Sequence, residues 1–333
     1  MEFSDVTSLV KEDLVREEEA LKTHYKSEIA LIPGISGYLM DGGGKRIRPL
    51  LVLLSTKLFG EEIGERTIKH ACAVEYIHAA TLLHDDVVDE TTVRRGNETV
   101  NSKWGSDASI LVGDYLVSKA ILLLAYDSDP RIIQAIAESA KVLVEGVILE
   151  FTNVRKLDVT EDYYLEVIYR KTASIISVSC QVGALFAQAD KEMENAMISF
   201  GDHIGTAFQL VDDVMDYDGN EELLGKPVGT DFKEGHVTLP LLYLYENADK
   251  SLKNEIEGFI KNENLTHKEL EYITDRMREV KAIEYTLDKA RDHIEKAKEI
   301  LYRYEFKSPL YRDALAAVAD FIIDQHTVSK ACP

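Results

Sequence analysis

The chain has 333 residues, 45% of them hydrophobic and 29% charged, which is enough apolar mass for a large core and excludes a disordered chain. With 38 basic against 59 acidic residues the formal net charge is −21, a field that repels nucleic acid and anionic membrane alike. Three cysteines (Cys72, Cys180, Cys332), odd in number and far apart, exclude a zinc ribbon or disulfide scaffold and fit a reducing, cytoplasmic setting.

The first twenty residues are acidic and lack an apolar stretch, so no signal peptide is expected. Proline costs a helix interior about 3 kcal/mol, and none occurs between Pro130 and Pro227 or between Pro240 and Pro309. Apolar residues at helical spacing predict helices over 4–31, 47–59, 66–90, 106–126, 130–154, 160–188, 192–218, 237–247, 249–262, 267–279, 281–304 and 308–327. No segment alternates with period two over a useful length. Gly42-Gly43-Gly44 and the stretch from Asp218 to Gly235 read as loops. The longest uncharged run, Thr172 to Ala189, contains Ser174, Ser177, Ser179 and Gln181 and reads as a buried helix rather than a membrane anchor. The expectation is an all-α chain, residues 1–333 forming a single domain.

Two of these helices end in aspartates. Asp85 and Asp89 lie four apart in Leu83-His84-Asp85-Asp86-Val87-Val88-Asp89, and Asp212 and Asp216 repeat the spacing in Asp212-Asp213-Val214-Met215-Asp216. Like charges one turn apart, near the negative end of a helix dipole, are unfavourable without a cation. The repeated pattern, all oxygen donors with no cysteine or paired histidine, points to Mg²⁺ or Mn²⁺ rather than Zn²⁺. Magnesium held by carboxylates commonly shares substrate phosphate oxygens. The cations sit where such an anion needs them: Lys45, Arg46 and Arg48 after the triple glycine, Arg94-Arg95-Gly96 beyond Asp89, Lys171-Thr172 at the start of an apolar run, and Lys226 and His236 around the second glycine loop. No GxxxxGK[ST] or GxGxxG pattern supports nucleotide binding.

With Gly43-Gly44-Lys45-Arg46-Ile47-Arg48-Pro49, two DDxxD clusters, Arg94-Arg95-Gly96, and Gly225-Lys226, Gly229, Asp231 and Thr238-Leu239-Pro240 in that order, the chain resembles the trans-isoprenyl diphosphate synthases, or polyprenyl synthetases. The resemblance implies a helical bundle around a deep central cavity and a homodimer without a stable membrane anchor. It also implies a prenyltransferase that joins isopentenyl diphosphate to an allylic diphosphate with Mg²⁺. Carried over residue by residue, it implies Asp85, Asp89 and Asp212 as metal ligands, with Asp86, Asp213 and Asp216 supporting them partly through water. Asp216 also stands as a candidate ligand in its own right. Arg94, Lys171 and Lys226 would meet the allylic diphosphate, with Thr172 and Gln209 nearby. Lys45, Arg48, His78 and Arg95 would hold isopentenyl diphosphate, although His78 also reads as a buried polar group on a helix face. The sequence departs from the family at His236, where lysine is commoner, and substrate affinity that varies with pH near neutrality is the expected consequence. It departs also at Glu150 (commonly Gln), at Glu98 (often Pro) and at Asp324-Gln325-His326, which lacks a closing arginine.

Residues preceding Asp85 would line a shaft for the growing chain, with Ile77, Ala80 and Thr81 as determinants of product length and Leu122, Ile136 or Leu143 at its floor. Small side chains at Ala80 and Thr81 resemble octaprenyl-type, long-chain members, with a geranylgeranyl diphosphate synthase as the alternative. A class I terpene cyclase shares the first aspartate cluster but needs no second diphosphate site. Glu75-Tyr76-Ile77-His78 has the ExxH spacing of di-iron bundles, which use it twice; it occurs once here.

Overall fold

The computed structural model describes residues 1–127, 129–219, 228–262 and 266–331. In chain order the helices are α1 (Phe3–Leu9), α2 (Lys11–His24), α3 (Leu31–Asp41), α4 (Ile47–Leu58), α5 (Glu65–Val88), α6 (Val100–Trp104), α7 (Ser106–Leu124), α8 (Pro130–Thr152) and α9 (Glu161–Ile168). A π-helical turn, Tyr169–Ala173, joins α9 to α10 (Ser174–Phe186). There follow α11 (Lys191–Asp218), α12 (Thr230–Glu234), α13 (Leu239–Asn247), α14 (Lys250–Ile260), α15 (His267–Glu279), α16 (Ala282–Arg303) and α17 (Pro309–Ala331). Between α5 and α6 a small antiparallel hairpin pairs β1 (Val93–Arg94) with β2 (Asn97–Glu98). The expected all-α class is what the chain adopts.

Helix starts follow local chemistry. Asp129 caps α8, accepting from the Arg131 amide at 3.0 Å, and Pro130 sits at the first position, where its missing N–H costs nothing. Asp190 caps α11 in the same way through the Met193 amide at 2.9 Å. At the N-terminus the single helix expected over 4–31 is two helices broken at Val10, and α2 stops at His24. Residues 31–41 then form a helix of their own, with Pro33 in the first turn, where no helical bond is lost.

One contiguous core runs from Val6 to Ile322. At its centre lies α10, buried along almost its whole length from Ser174 to Leu185, so the uncharged run is an interior helix as expected. Its hydroxyls are satisfied by carbonyls: Ser177 donates to Ile198 at 2.9 Å and Ser179 to Ile175 at 2.7 Å. α10 packs against α4, α8 and α11. Two glycines let neighbours close on the π-helical turn: a Cβ at Gly146 of α8 would lie 2.4 Å from the Lys171 nitrogen, and one at Gly205 of α11 would lie 2.5 Å from the Ala173 Cα. That turn carries Lys171 and Thr172, and the close approach fixes where they project. Among the described residues no helix is long and apolar enough to cross a membrane.

Candidate active site

Asp85 and Asp89 stand at the C-terminal turn of α5, Asp212 and Asp213 in the last two turns of α11. All four line one cavity of about 600 Å³, walled also by the π-helical turn, the hairpin and α12. Asp85 is pushed up to about 6, by burial first and then by the neighbouring Asp89 and Glu150 carboxylates, against the pull of Lys171. Asp89 is raised as well, again chiefly by burial. Crowded, half-desolvated carboxylates of this kind are stabilised as anions by a bound cation. The donor set therefore fits a divalent ion.

The first cation facing them is Lys171. Burial opposes its charge, but Glu150 and Asp85 overcome that and raise its pKa. Its ammonium donates to the Glu150 carboxylate. The ring of His236 lies beside the same group, with Nδ1 3.7 Å from Glu150 and Nε2 3.9 Å from Asp89 and 3.7 Å from Glu234. Asp89, Glu234 and His236 offer donor atoms within 4.8 Å of one another, close enough to share an ion.

A hydrogen-bonded chain fixes the opposite wall. Thr172 donates to the Gln209 carbonyl oxygen at 2.7 Å, the Gln209 amide donates to Asp213 at 2.7 Å, and Tyr164 donates to the other Asp213 oxygen at 2.5 Å. Burial, then Asp231, pushes the Asp213 carboxyl well above its ordinary range. The chain sets the amide so that its oxygen, not its nitrogen, meets Thr172.

Arg48, His78, Arg94 and Arg95 also line the cavity. The Arg48 Nε is buried without a hydrogen-bond partner among the described residues, and burial lowers its pKa to about 10. His78 is driven well below its ordinary value, by burial and then by Arg48, Arg95 and Arg94, so it is neutral. Arg95 and Gly96 form the hairpin turn with φ of 52° and 74°, and Arg95 donates to the Gly43 carbonyl, tying the hairpin to the triple-glycine loop.

Several expected site residues lie elsewhere. Asp86 is buried beneath the site, accepting from Arg94 Nε and Nη2 at 2.8 Å each; it braces the arginine instead of facing the cavity. Asp216 is also buried, and its Oδ2 accepts from the Asp231 amide at 3.0 Å, so it holds the start of α12. Lys45 lines a second cavity near α1 and α2 but stays within electrostatic reach of Asp212 and Arg95; it donates to Gln325 at 2.5 Å, with its ammonium 4.8 Å above the Phe321 ring. Arg46 is a brace too, bonded to Glu75 at 2.8 Å, Glu18 at 3.1 Å and the Met40 carbonyl at 2.9 Å. Of the shaft residues Thr81 reaches the cavity, but Ile77 and Ala80 are buried outside its lining, as is Ile136; Leu122 is exposed. The reason is rotation: Ala80 is five residues from Asp85, about 140° around the helix, whereas Thr81 is about 40° away. Leu143, from the floor candidates, does line the cavity, with Phe208 and Ile168. Lys226 lies outside the described residues.

Glu150 enters the site as a partner of Lys171, although the sequence showed it only as a departure from glutamine. Glu234 and Tyr164 line or brace the site without having been singled out, and Asp231, quoted in the glycine-loop motif but given no role, lines it as well. Asp231 and Glu234 follow Gly229 within a few residues, a signal that was legible; a tyrosine on a short amphipathic helix gives none.

The Polyprenyl synthetase family model matches residues 30–277. The octaprenyl diphosphate synthase of Haemophilus influenzae is 37% identical over 325 residues, covering 96% of this chain and 97% of that protein. Among solved structures, a polyprenyl synthase from Caulobacter crescentus complexed with calcium and isoprenyl diphosphate superposes with a TM-score of 0.92 at 34% identity, over 96% of this chain and 97% of that one. A decaprenyl diphosphate synthase from Rhodobacter capsulatus gives 0.91 at 33% identity, over 97% and 99%. The all-helical fold of this chain is the one these prenyl synthase structures share. The chain belongs to the polyprenyl synthetase family.

Proposed function

We propose that this chain, acting as a single domain of residues 1–333, is a trans-polyprenyl diphosphate synthase that condenses isopentenyl diphosphate with an allylic diphosphate to make a long-chain product. The observation that carries the reading is one cavity lined at once by Asp85, Asp89 and Asp212, by Lys171 and Arg94, and by Arg48, His78 and Arg95. That is two anion-binding sets around one pocket that also carries apolar side chains. A cyclase, which uses one diphosphate, has no need of the second.

In this reading Asp85, Asp89 and Asp212 hold Mg²⁺, with Mn²⁺ as a substitute, and the chemistry such ions supply is neutralisation of charge on the departing diphosphate. Lys171 and Arg94 donate to the same diphosphate as its allylic C–O bond breaks. Lys171 first exchanges its Glu150 partner for a phosphate oxygen. The Gln209 carbonyl and Thr172 hydroxyl oxygens, held by Asp213 and Tyr164, present negative ends of dipoles to the allylic cation. Arg48, Arg95 and neutral His78 orient isopentenyl diphosphate so that its double bond attacks the cation, forming the new C–C bond. The proton then lost passes to an oxygen of the departed pyrophosphate. Apolar walls at Leu143, Ile168 and Phe208 keep water from the cation. Lys45 and Lys226 remain candidates for diphosphate contact once substrate is bound.

A homodimer goes with this reading, supported by exposed apolar stripes on α7 (Ile110, Val117, Ile121) and α8 (Val144, Ile148, Phe151). So does a cytoplasmic site of synthesis. The test is product analysis after incubation with farnesyl diphosphate, radiolabelled isopentenyl diphosphate and Mg²⁺. Long polyprenyl diphosphates are expected, geranylgeranyl diphosphate as the end product would replace the long-chain reading, and release of hydrocarbon from allylic diphosphate alone would replace the synthase reading.

A further inference from the structure

His236 follows α12 on the cavity wall, its side chain only 11% exposed. Nε2 faces two carboxylates, Glu234 at 3.7 Å and Asp89 at 3.9 Å. Nδ1, on the other edge of the ring, is buried without a hydrogen-bond partner among the described residues and lies 3.7 Å from the Glu150 carboxylate. A small tilt of the ring lets Nδ1–H donate to Glu150 and leaves the Nε2 lone pair directed between Asp89 and Glu234. A carboxylate behind an imidazole, with further carboxylates ahead of it, is how proteins fix the tautomer of a metal-bound histidine.

Donors at about 2.0–2.2 Å from a small divalent ion stand about 3–3.5 Å apart. The two separations from Nε2 exceed that by a few tenths of an ångström, and the Asp89 and Glu234 oxygens lie within 4.8 Å of one another, a set that side-chain rotation closes around an ion. Lys171, a cation whose charge reaches Asp89, is drawn onto Glu150. A nitrogen donor changes the preference of the site. Sets made only of oxygen suit Mg²⁺, whereas imidazole with carboxylates favours the borderline transition ions.

We propose that Asp89, Glu234 and His236 form a mixed nitrogen–oxygen site for a borderline divalent ion (Mn²⁺, Co²⁺ or Zn²⁺), with Glu150 orienting the ring, and that this ion binds without any diphosphate. The site borrows Asp89 from the proposed magnesium set and otherwise stands apart from the prenyl-transfer reading. The probe is Co²⁺ added to metal-stripped, full-length protein in the absence of diphosphate, followed by visible ligand-field absorption and by calorimetry. One Co²⁺ per chain is expected, with affinity at least about tenfold weaker in His236→Lys and in Glu234→Gln. Asp212→Asn keeps the spectrum, and circular dichroism verifies that each variant is folded. Unchanged Co²⁺ affinity in folded His236→Lys would overturn the site. So would an equal loss in Asp212→Asn, which would assign the ion to the aspartate clusters alone. Protein that keeps the cobalt spectrum but forms no prenyl product would sink the enzymatic reading and leave the metal site standing.

Discussion

Glu17 of α2 is fully buried, and among the described residues neither of its carboxylate oxygens has a hydrogen-bond partner. Burial first, then the Glu75 charge, raises its pKa from 4.5 to about 8, with Arg46 opposing. Between those values the folded chain keeps a proton that the unfolded chain has released. Each pH unit of that gap is worth about 1.4 kcal/mol at most, so the stability Glu17 contributes is complete below pH 4.5 and is lost as pH rises through 8. Glu17→Gln removes this titration. Thermal melts should show the wild-type Tm falling more than the variant's between about pH 5 and about pH 9; parallel curves would refute the assignment. A second test concerns the bond from Tyr164 to Asp213. Without the hydroxyl a buried carboxylate loses one of its donors, at a cost of about 1–3 kcal/mol, and Gln209 loses its fixed orientation. Tyr164→Phe should lower kcat about tenfold or more with KM for both diphosphates little changed. A wild-type kcat would show that the chain from Thr172 to Tyr164 only supports the fold.

At the scale of elements, most helices were legible, α13 and α14 included, and the shortest elements were not. α5, α8 and α11 repeat apolar residues over many turns, and their predicted and observed ends differ by only a few residues. The hairpin has two residues per strand and α6 and α12 have five each, too few for any period to register. α3 lies outside the predicted helices; it holds Pro33, Gly34 and Gly37, residues poor in helix propensity, although a first-turn proline breaks nothing. The site was legible where spacing decides which way a side chain faces: Asp85 and Asp89 share a face of α5. Asp86 is one residue, about 100°, from that face, and finds Arg94 there instead. Asp216 keeps the spacing but is claimed by the Asp231 amide, a tertiary contact that no helical pattern encodes. The same rotation governs product length. Thr81 and Leu143 line the cavity and Ala80 does not, so Thr81→Phe should shorten the products and Leu143→Ala should lengthen them, read by chromatography of the dephosphorylated alcohols. Ala80→Tyr should leave product length alone and lower stability by about 1–3 kcal/mol through overpacking. Shorter products from Ala80→Tyr would return the determinant to that wall.

For the whole molecule the question is how so acidic a chain presents apolar surface. Its charge of −21 opposes association at long range, yet Ile121 is 62% and Phe151 62% exposed. On α8, Val144, Ile148 and Phe151 fall within about 40° of one line down the helix, and Ile110, Val117 and Ile121 do the same on α7. Exposed apolar rows of this regularity are kept when something covers them, and a self-complementary pair with two-fold symmetry covers both without leaving a surface for further growth. Because like-charged protomers would have to be brought together, the proposed dimer should tighten with added salt, which screens the repulsion and leaves apolar contact intact. Light scattering after size exclusion should give twice the chain mass for the wild type and the monomer mass for Ile148→Glu, with helical circular dichroism retained. A burial of about 1,200–2,000 Å² is what such a dimer needs, and one buried carboxylate per protomer at its centre is enough to break it. A wild-type monomer, or an Ile148→Glu dimer, would mean that these stripes meet something other than a second copy of the chain.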